Sequence, residues 1–169
     1  MRIAETYIAE IDSEAGGTIK ALERVPKDKL DWRPHVKSRT IGELAQHVAS
    51  LPGFAALGLR EGKREMGAGG RPAAAPNPDF VGTFKKAVDD FKNAVTAMSD
   101  EQLQKETFSF TMNGQPVRTF PKATFLRNVV MNHFVHHRGQ LTVYLRLLDI
   151  PVPAIYGVSA DENPFAPRQ

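Results

Sequence analysis

Asn132-His133-Phe134-Val135-His136-His137-Arg138-Gly139-Gln140 places three of the chain's five histidines within five residues. The stretch lies inside a helical pattern over residues 121–148, where Leu126, Val130, His133, His137, Leu141, Tyr144 and Leu148 recur at spacings of four and three. His133 and His137 therefore belong to the apolar face of a long last helix. Two imidazoles four residues apart on one helix face come within reach of a single metal ion. The same pair can instead hydrogen-bond to backbone carbonyls or buried waters, because buried ring nitrogens need partners of some kind. A third ligand from elsewhere in the chain tips the reading towards metal.

Working outward, a second helix supplies that candidate. Thr40-Ile41-Gly42-Glu43 has the spacing of a capping box and opens a helix that runs to about residue 60, with Leu44, His47, Leu51 and Phe54 on one stripe. His47 thus faces inward. Alone it reads as a core histidine; beside the late pair it is the third imidazole. Glu43, one turn before His47, has a second possible task in orienting the imidazole, but its capping role already accounts for it. Pro52 is expected to kink this helix one turn beyond His47.

The remaining segments complete a helical protein. Ile3, Tyr7, Ile11, Thr18 and Leu22 mark a first amphipathic helix over residues 1–25, ended by Pro26. Its Gly16-Gly17 pair reads as a kink or a close helix approach. Phe80, Phe84, Val88, Phe91, Val95 and Met98 define a third helix, after which Ser99 can cap a short turn. Residues 62–79, rich in glycine, alanine and proline, read as a long loop that lets the second and third helices run parallel and is long enough to cover a site. Alternation over residues 106–118 around Asn113-Gly114 signals a small β-hairpin before the last helix, with Pro116 confining its second arm to an edge. Pro121 suits the first position of that helix. Trp32, followed by Arg33-Pro34, reads as a packed connector. The tail over about residues 151–169 is irregular; its Tyr156, Asp161 and Glu162 either fold over the helices or remain solvated. The expected class is all-α, with four long helices, in one domain over residues 1–169.

Composition narrows the chemistry. Twenty-two basic residues stand against 19 acidic ones, a net charge of +3, and they are interspersed, so no nucleic-acid surface is expected. The chain has no cysteine, which excludes disulfides, thiolate ligands and a cysteine nucleophile, and leaves any metal to N and O ligands. No apolar run is long enough to span a bilayer and the first residues carry no secretory pattern, so no membrane partner and a cytoplasmic location are expected. His136, about 100° around the helix from His137, is expected to face solvent, a neighbouring helix or a partner. Arg138 reads as a surface or interface residue, with a substrate carboxylate as its other possible partner. Phe134 follows His133 where zinc peptidase helices carry glutamate, so peptidase chemistry is not expected.

These residues resemble the DinB/YfiT-like metalloenzyme family over nearly the whole chain. The resemblance rests on Trp32-Arg33-Pro34, on the stretch from Thr40 to His47, on His133 and His137 within His136-His137-Arg138-Gly139-Gln140-Leu141, and on Ile155-Tyr156-Gly157. It implies a four-helix bundle with a long crossover between helices 2 and 3, a divalent metal held by His47, His133 and His137, and a homodimer. The tail departs from the family pattern, with Ala154 where a serine often stands and Val158 in place of a proline. That bears on substrate contacts there and not on the metal. Zinc or nickel is expected first, with iron or cobalt also compatible, because imidazole ligands do not discriminate among these metals by type. Some family members are thiol transferases, so the resemblance implies a small-molecule substrate and a low-molecular-weight thiol as co-substrate, the metal-held thiolate being the nucleophile. Catalytic side chains stay unassigned. The competing reading is a non-catalytic dimeric helical bundle whose metal site is structural or regulatory.

Overall fold

The computed structural model describes residues 1–67 and 78–165. In chain order it contains α1 (Ile3–Glu23), α2 (Ile41–Glu61), β1 (Lys63–Glu65), α3 (Phe80–Thr96), α4 (Asp100–Lys105), β2 (Thr107–Met112), β3 (Gln115–Pro121), α5 (Lys122–Thr124), a π-helical segment (Phe125–Met131) and α6 (Asn132–Leu147). The capping signals operate as their chemistry requires. Thr40 Oγ1 accepts from the Glu43 amide at 3.1 Å while the Glu43 carboxylate accepts from the Thr40 amide at 2.8 Å, and Ser99 and Gln102 repeat the arrangement at the start of α4.

The helices bury the stripes that the periodicity marks. Tyr7, Ile11 and Leu22 of α1, Leu44, Val48 and Leu51 of α2, and Phe84 and Phe91 of α3 join Leu126, Val130 and Leu141 in one hydrophobic core. Specific contacts give the helix directions. Lys92 meets Asp12 at 2.7 Å and Arg2 donates to the Met98 carbonyl at 2.8 Å, so α1 and α3 are antiparallel. Gly53 lies against Ala87, and further along Leu59 and Arg60 share a cavity with Asn93 and Ala94, so α2 and α3 run in the same direction. On α6 and the segments before it, Arg127 pairs with Glu10 and Arg138 with Glu14 of α1, while Lys122 donates to the Leu59 carbonyl of α2 at 2.8 Å.

Several expectations need correction. The class is mostly helical, as expected, but the sheet is larger than the expected hairpin: among the described residues it has three strands in the order β1-β2-β3. Strands β2 and β3 form the expected hairpin, with Asn113 and Gly114 at φ 50° and 74°, and Pro116 sits on the outer strand beside a register shift between Phe110 and Thr111. Strand β1, inside the segment read as loop, pairs parallel to β2. Three residues are too few to show alternation, and their pairing partner lies more than forty residues away. The rest of that expected loop, residues 68–77, lies outside the described residues. The last helix is not one uniform α-helix, because it widens to a π-helix over Phe125–Met131 before α6 begins. Pro52 lies inside α2, which runs on to Glu61, so the proline does not end that helix.

Over its described residues, 151–165, the tail is docked, not solvated, and residues 166–169 lie outside the described residues. Asp161 pairs with Arg146 and accepts from the Val152 amide at 2.8 Å; Glu162 pairs with Arg24 and accepts from the Ala154 amide at 3.0 Å. Tail residue Ile155 also explains Gly17. A Cβ there would stand 2.9 Å from the Ile155 side chain, so the close approach involves the tail rather than another helix. Among the described residues no helix is long and apolar enough to cross a membrane.

Candidate metal centre

Helix α2 carries His47 and α6 carries His133 and His137, and the antiparallel packing of these two helices brings the three rings together. His133 Nε2 lies 2.7 Å from His137 Nε2 and 3.3 Å from His47 Nε2, and one ring nitrogen from each residue falls within 4.8 Å of the others. Nitrogens bound tetrahedrally to one zinc-sized ion at about 2.0–2.1 Å stand about 3.3–3.4 Å apart, so the His47–His133 separation already suits an ion while the closer His133–His137 pair opens slightly to receive one. All three imidazoles are half-buried.

The outer nitrogens show which atoms face inward. His133 Nδ1–H donates to the Val129 carbonyl at 3.2 Å, and His137 Nδ1–H donates to the Gln140 side-chain oxygen at 2.7 Å. Both acceptors lack a proton of their own, so each ring carries its hydrogen on Nδ1 and turns an Nε2 lone pair towards the other. Two lone pairs 2.7 Å apart repel unless a cation lies between them. Protons are poorly suited to that place, because burial pushes His133 below the usual histidine range and pushes His137 down to about 4, with neighbouring His136 and Arg39 adding in the same direction. The donor set therefore fits a divalent metal ion: neutral imidazoles, oriented by outer hydrogen bonds, from two helices.

The three residues singled out in the sequence are the three brought together. His136 is exposed, as expected from its angle on the helix, with its ring 4.9 Å from that of His137. Arg138 contradicts its reading as a surface or interface residue, being only 1% exposed. Its guanidinium meets the Glu14 carboxylate at 2.6 Å, Thr18 Oγ1 at 3.0 Å and the Tyr156 hydroxyl at 2.5 Å. The charge is tolerated inside because a carboxylate enters with it. Sequence reasoning also missed Gln140 and Arg39 as neighbours of the imidazoles. Gln140 had a signal, since residue i+3 from His137 is its neighbour on the helix surface. The Val129 carbonyl lies in the π-helical turn just before the histidines, where such turns are often found.

A mostly helical fold with an open three-histidine centre able to hold a metal ion is thus the class of protein defined here. The DinB family model matches residues 79–167, more than half of the chain. The chain belongs to the DinB family. It is 25% identical over 160 residues to the uncharacterized protein YrdA of Bacillus subtilis, covering 92% of this chain and 89% of that one. In fold it is similar to a DinB-like protein of Bacillus cereus, with a TM-score of 0.68 and 24% identity over 90% of this chain and 97% of the other. It is also similar to the DinB-like protein YjoA of Bacillus subtilis, with a TM-score of 0.67 and 20% identity over 89% and 96% of the two chains.

Proposed function

We propose that this protein is a divalent-metal-dependent enzyme acting on a small molecule, with His47, His133 and His137 as the metal ligands on a four-helix bundle. The observation that carries the reading is the 2.7 Å approach of two Nε2 atoms whose protons are committed to Nδ1 on the far side of each ring. Three protein ligands leave coordination positions open, as catalytic sites do and closed structural sites do not.

A divalent ion here, zinc or nickel before iron or cobalt, would supply a Lewis acid that keeps a small-molecule thiol deprotonated near neutral pH. Thiol S-transfer is the reaction we favour. The chain has no cysteine, so the sulfur comes from a low-molecular-weight thiol, which forms a carbon–sulfur bond to an electrophile as the leaving group departs. The protein residues act by holding and orienting. Val129 and Gln140 fix two imidazole rings, and the exposed guanidinium of Arg39 adds positive potential at the histidines. A homodimer is part of the proposal, supported by Val143 and Leu147, one turn apart on α6 and both more than half exposed.

The competing reading, a metal that only braces α2 against α6, draws on one fact: among the described residues the candidate metal group contains histidines and no carboxylate to act as a general base. Metal content by mass spectrometry tests the common premise. About one transition metal per chain is expected in the wild type and none in a folded His133→Ala/His137→Ala variant. No bound metal in the wild type, even after incubation with Zn²⁺ or Ni²⁺, overturns the proposal. With metal present, glutathione, cysteine and coenzyme A assayed against a chlorodinitrobenzene separate transferase from brace, a transferase releasing chloride with at least one of them.

A further inference from the structure

A second feature lies along the same helix. A groove of about 300 Å³ runs between α2 and α3 and is closed at one end by β1. Phe54, Leu57 and Ala87 form an apolar floor, and Arg64, Lys86 and Asp90 bring charge to its walls. The groove begins at Ser50, one helical turn from His47, and reaches Leu57, about 15 Å further along the axis than His47 at 1.5 Å per residue.

The charges are not equivalent. Lys86 is committed to Asp90 at 2.6 Å, a contact that holds the Asp90 carboxyl below its usual range, with Arg60 also near. The Arg64 side chain makes no hydrogen bond or ion pair among the described residues, although the residue is half-buried and lines the groove with the apolar floor. A guanidinium so placed has lost part of its hydration without gaining an acceptor, and its planar fork matches a carboxylate. Small-molecule sites have this composition: mostly apolar lining and a few polar groups that set orientation.

We propose that this groove binds the carboxylate end of an elongated small molecule, with Arg64 as the charge partner and Phe54, Leu57 and Ala87 against its hydrocarbon body. This deepens the enzymatic reading and rests on it in one respect, that the far end of the same molecule lies at the histidines. The substrate class is accordingly an aliphatic or aryl-aliphatic acid. Lys86 is not the anchor, because its charge is already matched by Asp90.

Calorimetric titration of the full chain with phenylhexanoate and with the neutral phenylhexanamide tests the assignment. The acid is expected to bind at least tenfold more tightly than the amide, Arg64→Gln to remove that preference, and Lys86→Gln to keep most of it. The preference is also expected to persist in chelator-treated wild type and in His133→Ala/His137→Ala, because Arg64 and not a metal reads the carboxylate. Equal affinity for acid and amide, no measurable binding of either, a preference unchanged in Arg64→Gln, or its loss in the metal-stripped protein would each overturn the proposal. Metal content is read on the same preparations. A wild type that prefers the acid but holds no metal keeps the groove and removes the metal chemistry, so the two failures are distinguishable.

Discussion

Replacing Arg138 by methionine removes the most deeply buried charge among the described residues while keeping an unbranched apolar stem of similar reach. The change deletes the 2.6 Å contact with Glu14, the 3.0 Å bond to Thr18 and the 2.5 Å bond to Tyr156 together. Thr18 keeps its own bond to the Glu14 carbonyl at 2.8 Å, and the Tyr156 hydroxyl still reaches the Glu14 carboxylate at 2.9 Å. The main loss is the counter-charge of a carboxylate whose side chain is only 11% exposed. Breaking a buried pair from one side costs about 3–5 kcal/mol, and the small exposure of Glu14 puts the expectation at the lower end, about 3 kcal/mol. For a chain of this size about 2–4 °C of Tm accompanies each kcal/mol, so Tm should fall by about 6–12 °C. Urea unfolding of wild type, Arg138→Met, Glu14→Gln and the double variant measures the loss and the coupling together. The single losses should exceed additivity, with a coupling of about 2 kcal/mol. A loss below about 1 kcal/mol for Arg138→Met, or additive effects in the double variant, would show that the pair does not hold the tail and α1 to α6 as described.

Two further outcomes follow from the geometry. Gly58→Ala puts a methyl group 2.7 Å from the Phe125 ring and 3.1 Å from Phe108, both fully buried, so overpacking should destabilise by about 1–3 kcal/mol in the same urea assay, and no measurable effect would contradict the packing at the sheet end of α2. The tail should detach in acid: the Asp161 carboxyl is held below its usual range by Arg146 and the Val152 amide, and that of Glu162 by the Ala154 amide and Arg24. A lowered folded-state pKa means that the contribution is complete above the ordinary carboxylate range of about 4 and is lost as pH falls through the depressed values. Amide-exchange protection factors of residues 151–165, corrected for intrinsic exchange at each pH, should therefore be unchanged from about pH 7 to 5 and fall below about 4, with a fall already at pH 6 counting against these anchors.

How far the site could be read in advance differs residue by residue. His133 and His137 were legible as a pair because four residues along a helix always return to the same face, whatever the rest of the chain does. The start of α2 was legible because Thr40 and Glu43 satisfy each other's amides locally. Strand β1 was not, since three residues have no periodicity and owe their conformation to β2. Arg138 was misread for a related reason. Its partner Glu14 lies 124 residues away, and nothing near Arg138 in sequence announces a carboxylate. The docked tail was left open on the same grounds: Asp161 and Glu162 bond to amides and guanidiniums that only the folded chain collects.

The sequence by itself determined the helices, their caps, the hairpin turn at Asn113-Gly114 and the helix faces that carry His47, His133 and His137. These follow from short-range stereochemistry and from the period of apolar residues, which act within a few residues of chain. Only the tertiary structure decided that His47 meets His133 at 3.3 Å and lies within 4.8 Å of His137, that Arg138 is buried with Glu14, and that the Arg64 side chain lies over an apolar groove without a partner among the described residues. Each of those facts pairs groups from distant segments, and the free energy of burying a polar group is set by whichever partner the packing brings to it.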